Sequence, residues 1–160
     1  MSSVAKRLAE LGVDLPPCPA PVASYLPAVA VGNLVFVSGQ LPVEDGALLY
    51  SGRVGETVTV EEGYEAARLC AIRCLSALQA VVPDLDQVER IAKVTGYVSC
   101  ANGFTDQPQV INGASDLLQA VFGEKGQHAR AAVGVSGLPL GAPVEVELVA
   151  YVKGHTGCCS

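Results

Sequence analysis

The chain has 160 residues, a length that suits one domain with a sizeable core. The formal net charge is −6 and the few Lys and Arg residues are scattered, so no nucleic-acid partner is expected. No apolar run approaches the roughly 20 residues of a membrane span, and the first residues lack a signal peptide's apolar core, so a cytoplasmic protein without membrane contact is expected.

The first part of the chain predicts a helix followed by a tight β-hairpin. Val4 to Leu11 has helical periodicity, and Gly12 can end the helix. Residues 13 to 27 are rich in proline and should run extended. The strands Val29 to Val31 and Leu34 to Val37 flank Gly32-Asn33, a pair that suits a two-residue turn.

The middle of the chain predicts two long helices separated by one strand. Thr59 and Glu62 form a capping box, and the helix should reach about Val82. Residues 88 to 100 predict a strand with Gly96 as a possible bulge, and residues 105 to 122 predict the second helix. The fold class expected is one α+β domain, with both long helices on one face of a mostly antiparallel sheet.

The stretch from His128 to Val152 contains two alternating runs around the loop GLPLGAP, which predicts a second β-hairpin. Arg130 shares a face with the small residues Ala132 and Gly134, so its guanidinium has room to grip a carboxylate. From spacing alone, the favoured interpretation is a solvated arginine on an edge hairpin, with the glutamates of the second run also in solvent.

Neither a metal nor a cofactor is expected. Cys70 and Cys74 fall on the apolar face of a predicted helix, and Cys18, Cys100 and the Cys158–Cys159 pair lack zinc spacing. The glycines show no phosphate-binding or dinucleotide-binding spacing. His128 fits either a local base or a half-exposed residue at the start of a strand.

Several short segments of the sequence resemble motifs of the RidA/YjgF family of reactive intermediate deaminases, over about residues 20 to 153. They are Tyr25, VGNLVFVSGQLP (31–42), ARAAV (129–133), Leu138-Pro139 and VEVE (144–147). The resemblance implies a chorismate mutase-like fold and a homotrimer with clefts between subunits. It also implies hydrolysis of 2-imino and 2-enamino acids to 2-keto acids and ammonia, without metal or cofactor.

The resemblance also implies roles for individual residues. Arg130 matches the residue that holds the substrate carboxylate, and Glu145 matches the acid that positions the attacking water. The matching cleft residues are Tyr25, Ser38, Gly39, Asn112 and Ala132. Many members carry a cysteine at the position of Ala132. That change, the N-terminal helix at residues 1–12 and the cysteine-containing tail at 154–160 indicate a divergent branch.

Two other functions are compatible with this sequence. One is a non-catalytic trimer of the same fold that binds a carboxylate metabolite or a partner protein. The other is the ribonuclease or translation-inhibitor activity implied for some members, against which the acidic balance argues. Imine hydrolysis is favoured because an iminium carbon is already electrophilic, so the site mainly orients substrate and water.

A regular hairpin around GLPLGAP would place Arg130 opposite Ala150. Glu145 would then lie five residues along that strand, roughly 17 Å away at about 3.3 Å per residue. One small substrate cannot span that distance. The sequence therefore predicts that Arg130 and Glu145 of one site come from different subunits.

Overall fold

The computed structural model describes residues 1–18, 20 and 24–154, and its largest element is a five-stranded sheet. The strands are β1 Ala28–Val31, β2 Leu34–Gln40, β5 Val88–Ser99, β6 Ala129–Val135 and β7 Val144–Val152. Their order in space is β1-β2-β7-β5-β6, and only β5 and β6 run parallel. A small hairpin of β3 Val43–Glu44 and β4 Ala47–Leu48 forms a separate sheet.

Three α-helices accompany the sheet: α1 Ser3–Glu10, α2 Val60–Val81 and α3 Gln107–Phe122. The long helices α2 and α3 pack against each other and cover one face of the sheet. The core lies between them and the inward side chains of β2, β5 and β7. The predicted α+β architecture, a mostly antiparallel sheet with both long helices on one face, is confirmed.

Most local predictions are also confirmed. β1 and β2 form the hairpin around Gly32-Asn33. Thr59 Oγ1 accepts from the Glu62 backbone N–H at 3.1 Å, and Glu62 Oε2 accepts from the Thr59 N–H at 2.9 Å, which completes the capping box of α2. Gly12, at a φ of +65°, follows the end of α1.

The predicted hairpin between residues 128 and 152 is wrong. β6 pairs with β5 at the edge of the sheet, whereas β7 lies between β2 and β5. Arg130 is therefore opposite Val94 rather than Ala150. Alternation fixes which side chains share a face but not which strand is the partner. The inward side chains of β7 are all buried, which suits a central strand, while the glycine and alanines of β6 bury little at the edge.

Gly96 does not form a bulge, since the register of β5 is regular there and shifts only near residues 88–93. Its missing side chain leaves space for Ile111 of α3, whose side-chain atoms would overlap a Cβ at this position. Gly96 thus allows α3 to approach the sheet closely.

Among the described residues, Cys70, Cys74 and Cys100 form no disulfide. The buried thiols of Cys70 and Cys74 donate to the carbonyls of Val144 at 3.7 Å and Val146 at 3.3 Å, and burial raises the pKa of both. Cys158 and Cys159 lie outside the described residues. Within the described residues, the His, Cys, Asp and Glu side chains form no metal-binding group, and no helix is long and apolar enough to cross a membrane.

The contact between α2 and α3 depends on Gly113, where a Cβ would overlap the backbone carbonyl of Tyr64. Gly113→Ala should lower the free energy of unfolding by about 1–3 kcal/mol, because backbone cannot yield as a flexible side chain can. Urea unfolding followed by circular dichroism measures the change. Gly137→Ala is the matched control, since nothing lies within 4 Å of a Cβ there. Equal stability of the two variants would contradict this packing.

Candidate active site

Arg130 is held against α3 by three hydrogen bonds. Its Nη1 donates to Asn112 Oδ1 at 2.8 Å and to Ser115 Oγ at 3.2 Å. Its Nη2 donates to the Pro108 carbonyl at 3.4 Å. The side chain thus lies on the helix-covered side of the edge strand β6, and it is half-buried. The structure brings together two predicted site residues, Arg130 and Asn112, although they are 18 positions apart.

One edge of the Arg130 guanidinium is left available for a ligand. Both Nη1 hydrogens have acceptors, while Nε–H and one Nη2 hydrogen have none among the described residues. These two donors form the fork that binds both oxygens of a carboxylate. Ala132 and Gly134 follow on the same face of β6 and add little bulk. The arrangement is suited to a small carboxylate.

Ser115 contacts Arg130 directly, and His128 is connected to Arg130 through Ser115. Ser115 is buried on α3, and its Oγ lies 2.8 Å from His128 Nε2. His128 Nδ1 lies 2.6 Å from the Gly126 carbonyl. The sequence alone does not predict a role for Ser115, and it leaves the role of His128 open. The signal for Ser115 was its spacing of three from Asn112, which places both on one face of a helix.

Glu145 lies elsewhere in the fold, on the open face of the sheet. Its carboxylate packs on Gly39, where a Cβ would overlap Glu145 Oε1. Gly39 belongs to an irregular stretch of β2 in which the pairing with β7 shifts between Val37 and Gln40. Within the described chain, the Glu145 carboxylate has no hydrogen-bond partner. Burial, and secondarily the charge of Glu147, raises its pKa above the ordinary value of 4.5.

Glu147 has a partner, unlike Glu145. Tyr97 of β5 donates its hydroxyl to Glu147 Oε1 at 2.6 Å. That hydrogen bond, with burial and the carboxylate charges, raises the pKa of Tyr97 to about 12. Tyr97 therefore remains protonated and keeps its hydrogen bond to Glu147. Of the two carboxylates, Glu145 is the one that is open to a water or a ligand.

Ser38 fixes the chain segment that follows Tyr25. Its Oγ donates to the Leu26 carbonyl at 2.6 Å, and its backbone N–H donates to the Pro27 carbonyl at 2.9 Å. Tyr25 is largely exposed. A second group of predicted site residues therefore gathers around β2 and β7. It consists of Tyr25, Ser38, Gly39 and Glu145.

The predicted site residues therefore form two groups within one chain. Arg130 is level with Val94 and Leu148, so Glu145 is three residues along and two strands across. With about 3.3 Å per residue and 4.8 Å per strand, their backbones are roughly 14 Å apart. Their side chains also leave opposite faces of the sheet. The predicted separation persists although the hairpin register behind it was wrong.

Comparison with known proteins shows the family to which this chain belongs. Residues 5–152 match the family model described as "YjgF/chorismate mutase-like, putative endoribonuclease". Protein TCP17 of Trypanosoma cruzi is 48% identical over 145 residues, which cover 90% of this chain and 91% of that protein. The crystal structure of Atu1372 from Agrobacterium tumefaciens, a protein with unknown function, superposes with a TM-score of 0.87 at 42% identity, covering 94% of both chains.

A more distant relative carries a named activity. The 2-iminobutanoate/2-iminopropanoate deaminase of Dermatophagoides farinae is 28% identical over 142 residues, covering 88% of this chain and 95% of that protein. The family match spans the whole sheet, helices α2 and α3, and most of α1. The chain is thus a member of the RidA/YjgF family of chorismate mutase-like proteins.

Proposed function

We propose that this protein hydrolyses 2-imino and 2-enamino acids to 2-keto acids and ammonia. The observation that carries the proposal is the open carboxylate-binding edge of Arg130, held in place by Asn112 on α3. The deaminase of Dermatophagoides farinae, a relative along almost its whole length, acts on small imino acids whose carboxylate such an edge would bind. No step of this hydrolysis requires a metal or an organic cofactor.

The chemical step needs a positioned water and a group that takes its proton. With the substrate carboxylate on Arg130, Glu145 accepts a proton while the water oxygen bonds to the imine carbon. Glu145 then returns this proton to the nitrogen of the carbinolamine, the nitrogen leaves as ammonia, and the hydroxyl releases its proton to Glu145 as the carbon–oxygen double bond of the keto acid forms. The raised pKa and open hydrogen-bonding capacity of Glu145 suit this role.

Assembly is required because one chain keeps Arg130 and Glu145 apart. We propose a homotrimer in which the edge with Arg130 in one subunit faces Tyr25, Ser38, Gly39 and Glu145 of the next. The face of the sheet that α2 and α3 do not cover is suited to burial between subunits. It carries large apolar side chains that are 38–62% exposed: Val29, Val31, Leu34, Phe36, Val133 and Tyr151.

Sedimentation equilibrium should give a mass of roughly three times 16.4 kDa. Phe36→Glu should shift the protein towards monomers, because it places a charge in the apolar interface. Leu11→Glu, at an exposed position just after α1, is the matched control and should remain trimeric. A concentration-independent monomer of the parental protein would rule out the shared cleft.

A coupled assay tests the reaction itself. An amino-acid oxidase generates a 2-imino acid, semicarbazide traps it, and an active deaminase lowers the rate of semicarbazone formation. The alternative function, a non-catalytic trimer that binds a carboxylate metabolite, predicts binding of a 2-keto acid with unchanged semicarbazone formation. A panel of amino acids with different side-chain sizes would then define the substrate range.

A further inference from the structure

Two residues with no part in the proposed chemistry contact Arg130 through a chain of hydrogen bonds. His128 bridges the Gly126 carbonyl at 2.6 Å and Ser115 Oγ at 2.8 Å. Ser115 Oγ also accepts from Arg130 Nη1 at 3.2 Å. Ser115 is only 6% exposed and His128 is half-buried, so bulk water does not readily replace these partners.

The partners determine where the hydrogens lie. A carbonyl only accepts, so His128 Nδ1 carries the hydrogen that binds Gly126. In the neutral ring, Nε2 is then an acceptor, and the Ser115 hydroxyl must donate to it. This donation turns the lone pairs of Ser115 Oγ towards Arg130, where one of them accepts from Nη1. The neutral tautomer of His128 thereby fixes the direction of the Ser115 hydroxyl.

We propose that Ser115 and His128 are positioning residues for Arg130, and that the charge of His128 tunes the affinity of this arginine for a carboxylate. The inference rests on the proposed carboxylate site. Ser115 and Asn112 together occupy Nη1, so the edge formed by Nε and Nη2 is the one presented to the ligand. Without the Ser115 hydroxyl, only Asn112 and the Pro108 carbonyl hold the guanidinium, so the fork is fixed less firmly.

The charges around His128 give the sign of the pH effect. Burial lowers the pKa of His128 below its ordinary value of 6.5. The hydrogen bond to the Gly126 carbonyl opposes this, and repulsion from Arg130 adds to the lowering. A carboxylate bound to Arg130 offsets that repulsion and so favours the imidazolium. By linkage, the same carboxylate binds more tightly when His128 is protonated.

Other charged groups near His128 have their own partners. Arg90 of β5 donates to the carbonyls of Glu124 and Gln127, Lys125 pairs with Glu89 at 3.5 Å, and Asp116 of α3 accepts from Tyr64. The remaining charged residues on the adjoining elements are Lys93 of β5 and Glu124, which precedes Gly126 by two positions. Arg130 is the charged group that acts directly on the imidazole.

The experiment is calorimetric titration of the full-length protein with 2-oxobutanoate, a carboxylate that cannot undergo imine hydrolysis, between about pH 5 and pH 8. The parental Kd should fall about three-fold as the pH decreases. His128→Gln keeps a donor for Gly126 and an acceptor for Ser115 but does not titrate, so its Kd should change less with pH than the parental Kd, and what remains is the titration of Glu145 in the same cleft. Ser115→Ala should weaken binding about ten-fold at pH 8. Ser136→Ala, at an exposed serine after β6, is the matched control and should behave as the parent.

The outcomes separate this inference from the proposed function. If Arg130→Ala binds 2-oxobutanoate as the parent does, the carboxylate site itself is wrong. If Arg130→Ala loses binding while His128→Gln retains the parental pH dependence, or Ser115→Ala retains the parental affinity, only the positioning role is refuted. A loss of folding in Ser115→Ala would appear in its circular dichroism spectrum. In that case, the pH dependence of Kd in His128→Gln would still decide whether His128 tunes Arg130.

Discussion

Glu145→Gln should lower the rate of imine hydrolysis by about 10²–10⁴-fold, the usual contribution of a positioned general base. Glutamine preserves the size of the side chain beside Gly39 but cannot accept the proton of the attacking water. Steady-state kinetics in the coupled assay measures the change. We expect the loss mainly in kcat, because the substrate carboxylate is held by Arg130 rather than by Glu145.

The pH dependence of the parental protein provides an independent check on Glu145. Its pKa lies above the ordinary value of 4.5, because the carboxylate is partly buried and lies near Glu147. A general base must be ionised, so kcat should fall as the pH decreases through this raised pKa. Glu147→Gln removes a nearby negative charge and should move the fall to lower pH. If the acidic fall of kcat occurs at the same pH in Glu147→Gln as in the parental protein, the group that titrates is not Glu145.

Arg130→Ala should weaken carboxylate binding by about 1.5–3 kcal/mol, or roughly ten- to 150-fold in affinity. The expected signature is a higher KM with a smaller effect on kcat. Arg130→Lys should recover only part of the loss, because an ammonium keeps the charge without the planar fork. The strand should remain folded, since β6 lies at the sheet edge and its neighbours Ala132 and Gly134 are small. Parental kinetics in Arg130→Ala would remove the basis of the assignment.

The sequence predicted those elements whose signals are local. Gly32-Asn33 set the β1–β2 hairpin, and Thr59 with Glu62 set the start of α2, because the residues that form these features are neighbours in the chain. The apolar stripe of α2, with Cys70 and Cys74, correctly indicated a buried face. Patterns that repeat over a few residues carry this information directly.

The sequence failed where the outcome depends on distant partners. The alternation of β6 and β7 predicts the correct faces. The run GLPLGAP predicts a hairpin turn, but in the fold it carries the chain from the edge to the centre of the sheet. The alternation of β6 indicated Arg130, and the family resemblance added Asn112. Their 2.8 Å contact, with Ser115 and His128 behind it, became evident only in the fold. The alternation of apolar and polar residues along a strand cannot specify which strand lies next to another.

The central claim is that one active site takes Arg130 from one subunit and Glu145 from another, and subunit complementation tests it most directly. Differently tagged Arg130→Ala and Glu145→Ala chains are co-assembled in equal amounts, and trimers that carry both tags are assayed alongside the unfractionated mixture at a substrate concentration well below the parental KM, where the raised KM of Arg130→Ala leaves that parent nearly inactive. A trimer of mixed composition then contains one intact cleft, so the unfractionated mixture should recover about one quarter of parental activity.

The control replaces the Glu145→Ala chain by the Arg130→Ala, Glu145→Ala double variant, for which no cleft can be intact. We predict recovery in the first mixture and none in the control. If the mixed trimers form but are no more active than either inactive parent, both residues act from the same chain, and the shared-cleft account is wrong.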